Sequence, residues 1–395
     1  MVNKVAIIGA GLGGLSVAIA LRKQGINAQV YEKARLLRPV GAGLSLVPNG
    51  LHSLEAISTI SYANAPGITE LLKAAGSQTQ TLKLHKSNGE LIGQKSVTLQ
   101  EKYGQPMLQI RWSRLQEIFA SQLPPEAIHL DHRCIGFEQN EQRVQVCFEG
   151  GKTVQADVLI GADGLNSVVR QTLIGDGEPD YAGRMSWRAV LKYSHPKLLP
   201  HEVMSMTASD GKIFGFFDLG GGYVFWSAAS LCPDGFLAQN PADIKSRIQE
   251  KFSGWAEPVQ EILAATEAED IVERPICDRP PLENWSQGRV TLLGDAAHPM
   301  VPLLGQGANT AFEDAWELAQ CLRHASSIET ALANYENSRK PRTQIIQIRN
   351  AIGAKRAYKA DSETYLSKMM QQAQVSDAEF EEWLYNYQPS VVNYS

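Results

Sequence analysis

Cysteine pairs at metal-binding or redox spacing are absent from this chain. The five cysteines, Cys134, Cys147, Cys232, Cys277 and Cys321, are scattered and form no C-x-x-C. That spacing argues against a zinc site, a disulfide framework and a dithiol redox centre. Thiols of this kind suit a cytoplasmic protein. An excess of positive charge is also lacking. Thirty-seven Lys and Arg against 42 Asp and Glu leave a net charge of -5, so bulk charge does not hold the chain to nucleic acid. Long apolar runs are missing too. The stretch between Lys4 and Arg22 has no charged residue, but it is too short for a membrane span and glycines interrupt it. No targeting segment or repeat stands out, and the cytoplasm is the expected location.

What is present begins at the N-terminus. A β-branched run, Val5 to Ile8, leads into Gly9-Ala10-Gly11-Leu12-Gly13-Gly14, then an alanine-rich segment to Leu21, then a second apolar run, Ala28 to Tyr31, ending on Glu32. This reads as strand, glycine turn, helix, strand, acid. Gly9 permits the tight turn, Gly11 lets the backbone approach a pyrophosphate, and Gly14 lets the helix pack on the strand. The helix start offers N–H groups and the positive end of a dipole. Glu32 stands 18 residues after Gly14, placed to accept from a ribose hydroxyl of FAD or NAD rather than a 2′-phosphate. With 395 residues the chain can bury a large core, read here as an α/β architecture of two interleaved domains.

Further along, Val40 to Gly50 reads as a loop and strand closed by Pro48-Asn49-Gly50, with a helix from about Leu51. Residues 79–98 read as short strands around an Asn88-Gly89 turn. Arg111 and Arg114 sit at the start of a helix carrying Leu115, Ile118 and Phe119. Arginine there opposes the helix dipole, so a bound anion is a reasonable partner for one of them. A buried strand, Val158 to Ile160, runs into Gly161-Ala162-Asp163-Gly164. From about Tyr181 to Pro280 the character changes to an antiparallel sheet rich in aromatics. Trp187, Arg188, Phe214 and Tyr223 are its candidate pocket residues, with plain sheet core as the alternative for each aromatic. The last informative stretch is a buried strand, Val290 to Leu293, followed by Gly294-Asp295. His298 follows, where packing is the simpler role than acid–base chemistry. Pro302, Gly305 and Gly307 then shape a loop, and a helix begins near Asn309. Asp295 falls at the C-terminal end of its strand, where α/β sheets bind ligands.

Three motifs now stand in order: Gly9-x-Gly11-x-x-Gly14, Gly161-Ala162-Asp163-Gly164, and Gly294-Asp295 followed by Pro302 and Gly305-Gln306-Gly307-Ala308-Asn309. Together they resemble the single-component FAD-dependent aromatic hydroxylases, the group of p-hydroxybenzoate and salicylate hydroxylases, over roughly residues 1 to 345. Within it, Phe252-Ser253-Gly254-Trp255-Ala256, Cys277-Asp278-Arg279-Pro280 and the run from Trp285 to Asp295 look most like the zeaxanthin epoxidase and urate hydroxylase branch. The aromatic hairpin departs from urate hydroxylase, with Ile213 where a charge would help.

The resemblance implies a Rossmann-type FAD-binding domain (residues 1–72, 106–179 and 285–345), interleaved with an antiparallel-sheet substrate domain (73–105 and 180–284). A C-terminal helical segment (346–395) follows. It implies that Gly9, Gly11, Gly14, Glu32 and Lys33 hold the ADP half of FAD. Arg111 meets the cofactor, with Arg114 as the alternative, and Asp163 belongs to the motif tied to FAD and NAD(P)H. Asp295 serves the ribitol side, while Pro302, Gly305, Gly307, Ala308 and Asn309 lie along the isoalloxazine. The implied reaction is NAD(P)H- and O2-dependent monooxygenation of a small molecule through a flavin C4a-hydroperoxide, with no metal and no catalytic side-chain acid or base. A flavin reductase or a non-catalytic flavin redox protein is the alternative. A halogenase is disfavoured because no W-x-W-x-I-P pattern occurs.

Overall fold

The computed structural model describes residues 2–37, 42–59, 67–233, 235, 240–354, 371–372 and 374–389. Val40, at the start of the loop read above, lies outside the described residues, as does much of the C-terminal segment.

Four short apolar runs, from three separate regions of the sequence, become adjacent parallel strands. Lys4–Ile8 pairs on one side with Asn27–Tyr31 and on the other with Val158–Gly161, which in turn pairs with Val290–Leu292. Ile128–His129 and the Ser286–Gln287 hairpin arm complete a six-stranded sheet. The central residues Val5, Ala6, Ile7, Val158, Leu159, Ile160 and Val290 have no exposure. That is the reason these strands read as unbroken apolar runs rather than alternating ones. Helices Leu12–Lys23 and Gly307–His324 pack against each other beside this sheet. The long helix Ile328–Gly353 packs on the second of them.

The aromatic middle of the chain forms a seven-stranded sheet. Its order is Val272–Asp278, Asp180–Lys192, Tyr223–Leu231, Ile213–Asp218, Glu202–Thr207, Thr81–Lys86, Leu91–Ser96. One face carries Met185, Trp187, Met206, Phe214, Phe216 and Trp226. It is covered by helices Pro241–Lys251 and Val259–Ala265 through Ile248, Phe252, Ile262 and Leu263. The opposite face carries the alternate residues. A small sheet of Gly43–Leu46, Leu108–Arg111 and Ser77–Gln78 lies between the two large ones. The helix read from about Leu51 starts at Pro48, a residue whose fixed φ suits a first helical turn. Near the C-terminus, helix Asp377–Tyr385 is set by a Ser376–Glu379 capping box, and its Phe380 and Leu384 pack on Ile346. No described helix is long and apolar enough to cross a membrane.

Candidate active site

The glycine turn shows why each position needs its residue. Gly9 has φ of +105°, and a Cβ there would lie 2.5 Å from the Ala162 carbonyl oxygen. A Cβ on Gly14 would lie 2.0 Å from the Gly9 carbonyl oxygen. At Gly11 a Cβ would meet nothing within 4 Å, so the helix begins on open space. Its first turn has no side-chain cap and no acid, leaving backbone donors for a ligand. Glu32 accepts from the Ala10 N–H at 2.8 Å and the Ala34 N–H at 2.9 Å. A carboxylate has about four acceptor positions, so it keeps room for a ribose hydroxyl. Lys33, beside it, is exposed.

Asp163 adjoins this turn, with its Cα 3.1 Å from the Cβ position of Gly9. Its side chain accepts from the Ser167 hydroxyl at 2.5 Å and the Val168 N–H at 2.7 Å, bracing the start of helix Val168–Leu173. Burial pushes its pKa up, against these hydrogen bonds. Arg170 on that helix is buried, bonds Asp176, and donates to the carbonyls of Ala296 and Ala297 at 3.0 and 3.3 Å. The second motif is thereby tied to the loop after Asp295.

Asp295 follows the strand end at Leu292 and is exposed. Its carboxylate is open to solvent, while the surrounding protein raises its pKa by desolvation, partly opposed by His298. Within the described residues it accepts no hydrogen bond. It stands beside the start of helix Gly307–His324, since a Cβ on Gly307 would lie 3.4 Å from Asp295 Oδ1. That helix start, two residues earlier than the sequence suggests, also lacks a side-chain cap and an acid. The two helix starts are neighbours: a Cβ on Gly13 would touch Leu293 and lie 3.4 Å from the Ala311 methyl.

Several candidate residues serve the protein rather than a ligand. The Asn309 side chain is fully engaged: Nδ2 donates to the Ser45 and Gly305 carbonyls at 3.0 and 2.9 Å, and Oδ1 accepts from the Val47 N–H at 3.1 Å. Only its backbone, with that of Gly307 and Ala308, remains for a cofactor. Pro302 and Gly305 are exposed on the loop before this helix. His298 is buried against Trp285 and bonds Asp314, so the structure places it in packing.

Arg111 and Arg114 separate cleanly. Arg114 is paired with Glu117 at 3.1 Å on the surface. Arg111 sits over the Tyr223 ring at 4.1 Å, joining the small sheet to the large one. Of the four pocket candidates, Tyr223 and Arg188 lie on the face opposite the helix-covered core. Trp187 and Phe214 do not. Trp187 is buried and donates to Glu273 at 2.7 Å, and Phe214 stacks on Trp226 with centroids 5.3 Å apart. Both belong to the second hydrophobic core, because Trp187 and Arg188 are consecutive on one strand and must point opposite ways.

Sequence reasoning missed a buried polar network. Asp314 accepts from Arg339 Nε at 2.8 Å and from the Gly294 N–H at 3.1 Å. Glu313 pairs with Arg339 and Arg342, each at 2.7 Å, and accepts from Asn49 at 2.6 Å. Burial raises the pKa of both acids, but the cations (with His298 at Asp314) outweigh it, holding both below the ordinary carboxylate range. The signal was available: consecutive acids inside a helix otherwise apolar enough to be buried need cations from elsewhere.

The residues present fit an adenine dinucleotide of the flavin type. The two uncapped helix starts are neighbours, with the open space at Gly11 and the ribose acceptor Glu32 beside one and the Asp295 carboxylate beside the other. The comparisons agree. A family model described as FAD binding domain matches residues 3–350. Aurachin C monooxygenase/isomerase of Stigmatella aurantiaca is 34% identical over 86% of this chain and 85% of that protein. The 3-amino-4-hydroxybenzoate 2-monooxygenase of Streptomyces cremeus is 31% identical over 97% of this chain and 94% of that protein. Among solved structures, Klebsiella pneumoniae HpxO complexed with FAD and uric acid superposes with a TM-score of 0.84 at 25% identity, covering 97% of this chain and 96% of that one. The chain belongs to the FAD-dependent monooxygenases.

Proposed function

We propose that the chain uses NADH or NADPH and O2 to insert one oxygen atom into an apolar or aromatic small molecule, by hydroxylation or epoxidation. FAD, when bound, supplies the electron transfer and oxygen activation. The chain's own residues bind and orient it. The backbone at Gly11 would hold the pyrophosphate, Glu32 a ribose hydroxyl, and Asp295 a ribitol hydroxyl. The N–H groups at Gly307, Ala308 and Asn309 would stabilise negative charge, worth up to ~2 kcal/mol in partly buried geometry. The observation that carries this reading is the adjacency of the two uncapped helix starts, one beside the glycine turn and one beside Asp295. The Tyr223 and Arg188 face of the large sheet would close the substrate side and exclude water. Five free cysteines support a cytoplasmic setting.

Stopped-flow flavin reduction tests it. The purified yellow protein is mixed with NADH or NADPH, with and without phenols, indoles, quinolones and terpenoids. Ligand-accelerated bleaching with O2 uptake is the expected result. Fast bleaching without any ligand would favour a flavin reductase. Tight FAD that no nicotinamide reduces would favour a non-catalytic flavin protein.

A further inference from the structure

A cavity of about 450 Å³ opens where the turn after Ile213–Asp218 meets residues 193–202 and Ser77. Its floor is apolar. Met204, Phe216, Val224 and Leu198 line it, the first three of them buried. These side chains belong to the helix-covered core of the seven-stranded sheet. Tyr223 and Arg188 point to the other face, so the cavity floor and the side assigned above to substrate lie on opposite sides of the sheet. The volume suits a small organic molecule, and the monooxygenase reading makes no use of it.

The rim carries charges of both signs that the protein itself does not pair. Asp218 accepts from the Ser77 hydroxyl at 2.5 Å, the His201 N–H at 2.9 Å and the Gly220 N–H at 3.1 Å. All three donors are neutral, and no cation pairs with Asp218 among the described residues. A carboxylate has about four acceptor positions, so one stays open. Lys197, exposed on the same rim, has no acidic partner there; its ammonium meets only the Glu257 carbonyl oxygen, at 3.4 Å. Glu202, by contrast, is already neutralised by Lys83 at 2.7 Å. The turn Gly220-Gly221-Gly222 holds φ of +78°, +62° and +78°, which glycine adopts at no steric cost. The Tyr193 N–H takes the Gly222 carbonyl at 3.1 Å, while the N–H groups of Gly221 and Gly222 have no acceptor among the described residues. Both of these glycines line the cavity.

An unpaired anion, an unpaired cation and two open backbone donors above an apolar floor match a zwitterion with an apolar body. Charge-assisted hydrogen bonds would hold its two ends, and burial of the body would supply the rest. We propose that this cavity binds a free α-amino acid with a large apolar side chain. Its ammonium pairs with Asp218, and its carboxylate with Lys197 and the Gly221 and Gly222 N–H groups. Its side chain rests on Met204, Phe216 and Val224.

The test is isothermal titration calorimetry on the FAD-loaded protein, with L-phenylalanine, phenethylamine and 3-phenylpropionate as probes. The zwitterion is expected to bind about tenfold or more tightly than either singly charged analogue. Lys197→Gln should lower L-phenylalanine to the affinity of phenethylamine, and Asp218→Asn should lower it to that of 3-phenylpropionate. Asp218 also braces its turn, so its variant is checked first for an unchanged melting temperature. Lys197 is exposed, and its variant decides the question even if Asp218→Asn does not fold. No binding of L-phenylalanine at millimolar concentration, equal affinity for the three probes, or undiminished L-phenylalanine affinity in Lys197→Gln would each overturn the proposal. The readout needs no turnover, so it stands or falls separately from the monooxygenase reading.

Discussion

His298 Nε2 lies 2.6 Å from Asp314 Oδ2, and neither residue has any exposure. His298 stands three residues after Asp295 in the chain, yet faces inward. Asp314 also holds the Gly294 N–H and Arg339, so it fixes the strand end that presents Asp295. Removing one partner of a buried charged set costs about 3–5 kcal/mol. Asp314→Ala is therefore expected to lower the melting temperature strongly. His298→Asn should keep the bound-flavin spectrum and the pH profile of turnover. A pH profile that changes with His298→Asn would show that this residue takes part in proton transfer.

The same network fixes an acid limit. Folded pKa values of Glu313 and Asp314 lie below their unfolded ones, so the unfolded chain binds more protons and stability rises with pH. Their contribution is complete above the unfolded values, about 4, and is lost as pH falls through the lower folded ones. Melting temperature measured from pH 7 down to 3 should drop in that window, and Asp314→Asn should flatten the drop.

Asp295 has the opposite sign. Desolvation raises its folded pKa, so the ionised group costs stability at neutral pH, and the cost fades as pH falls toward the raised value. Asp295→Asn is expected to raise the melting temperature of the FAD-free protein at pH 7. It should also weaken FAD binding about ten- to hundredfold through the lost charge-assisted hydrogen bond. Full FAD occupancy and turnover in Asp295→Ala would refute the placement of the flavin.

Two glycines should part company. Gly14→Ala places a Cβ 2.0 Å from a backbone oxygen and is expected to cost at least about 3 kcal/mol, read by chemical denaturation. Gly11→Val adds atoms to open space and should leave the FAD-free protein as stable as the wild type while abolishing FAD binding. Loss of folding in both variants would remove Gly11 from the ligand surface.

Trp187→Ala should cost about 3–5 kcal/mol of stability as a core truncation, with the affinity of any bound ring ligand unchanged in the surviving folded protein. Calorimetry together with a flavin difference titration would check both halves.

Local patterns were legible where the reason for them was local. Strand, turn, helix and acid at Val5 to Glu32 read correctly, because the dinucleotide turn needs close backbone approach and only certain residues allow it. The buried strands at Val158 and Val290 read correctly as unbroken apolar runs. What alternation could not say was which face of the large sheet the helices cover. Trp187, Arg188, Phe214 and Tyr223 were all candidates, although the pleat allows Trp187 or Arg188 to face the pocket but not both. The polar network was legible only in its acids; the cations that meet them were not, for a different reason. Glu313 and Arg342 are partners across helices, and pairing across helices leaves no fixed spacing in one sequence. Asn309 illustrates both limits: it lies in the first turn of its helix, but its side chain is occupied by Ser45 and Val47, 264 and 262 residues away.

The strand order of the parallel sheet bears on how the chain is made. Lys4–Ile8 is a central strand, and its neighbour on one side is supplied by Val158–Gly161; the Lys4 N–H bonds Asp157, 153 positions later. A ribosome adding about 5–20 residues per second needs roughly 8–30 s to cover that interval. Throughout it, one edge of this largely buried, apolar strand has no partner. The nascent chain thus holds this strand edge unsheltered over that interval, and slower growth at low temperature with ample chaperone is the condition under which it should be produced intact.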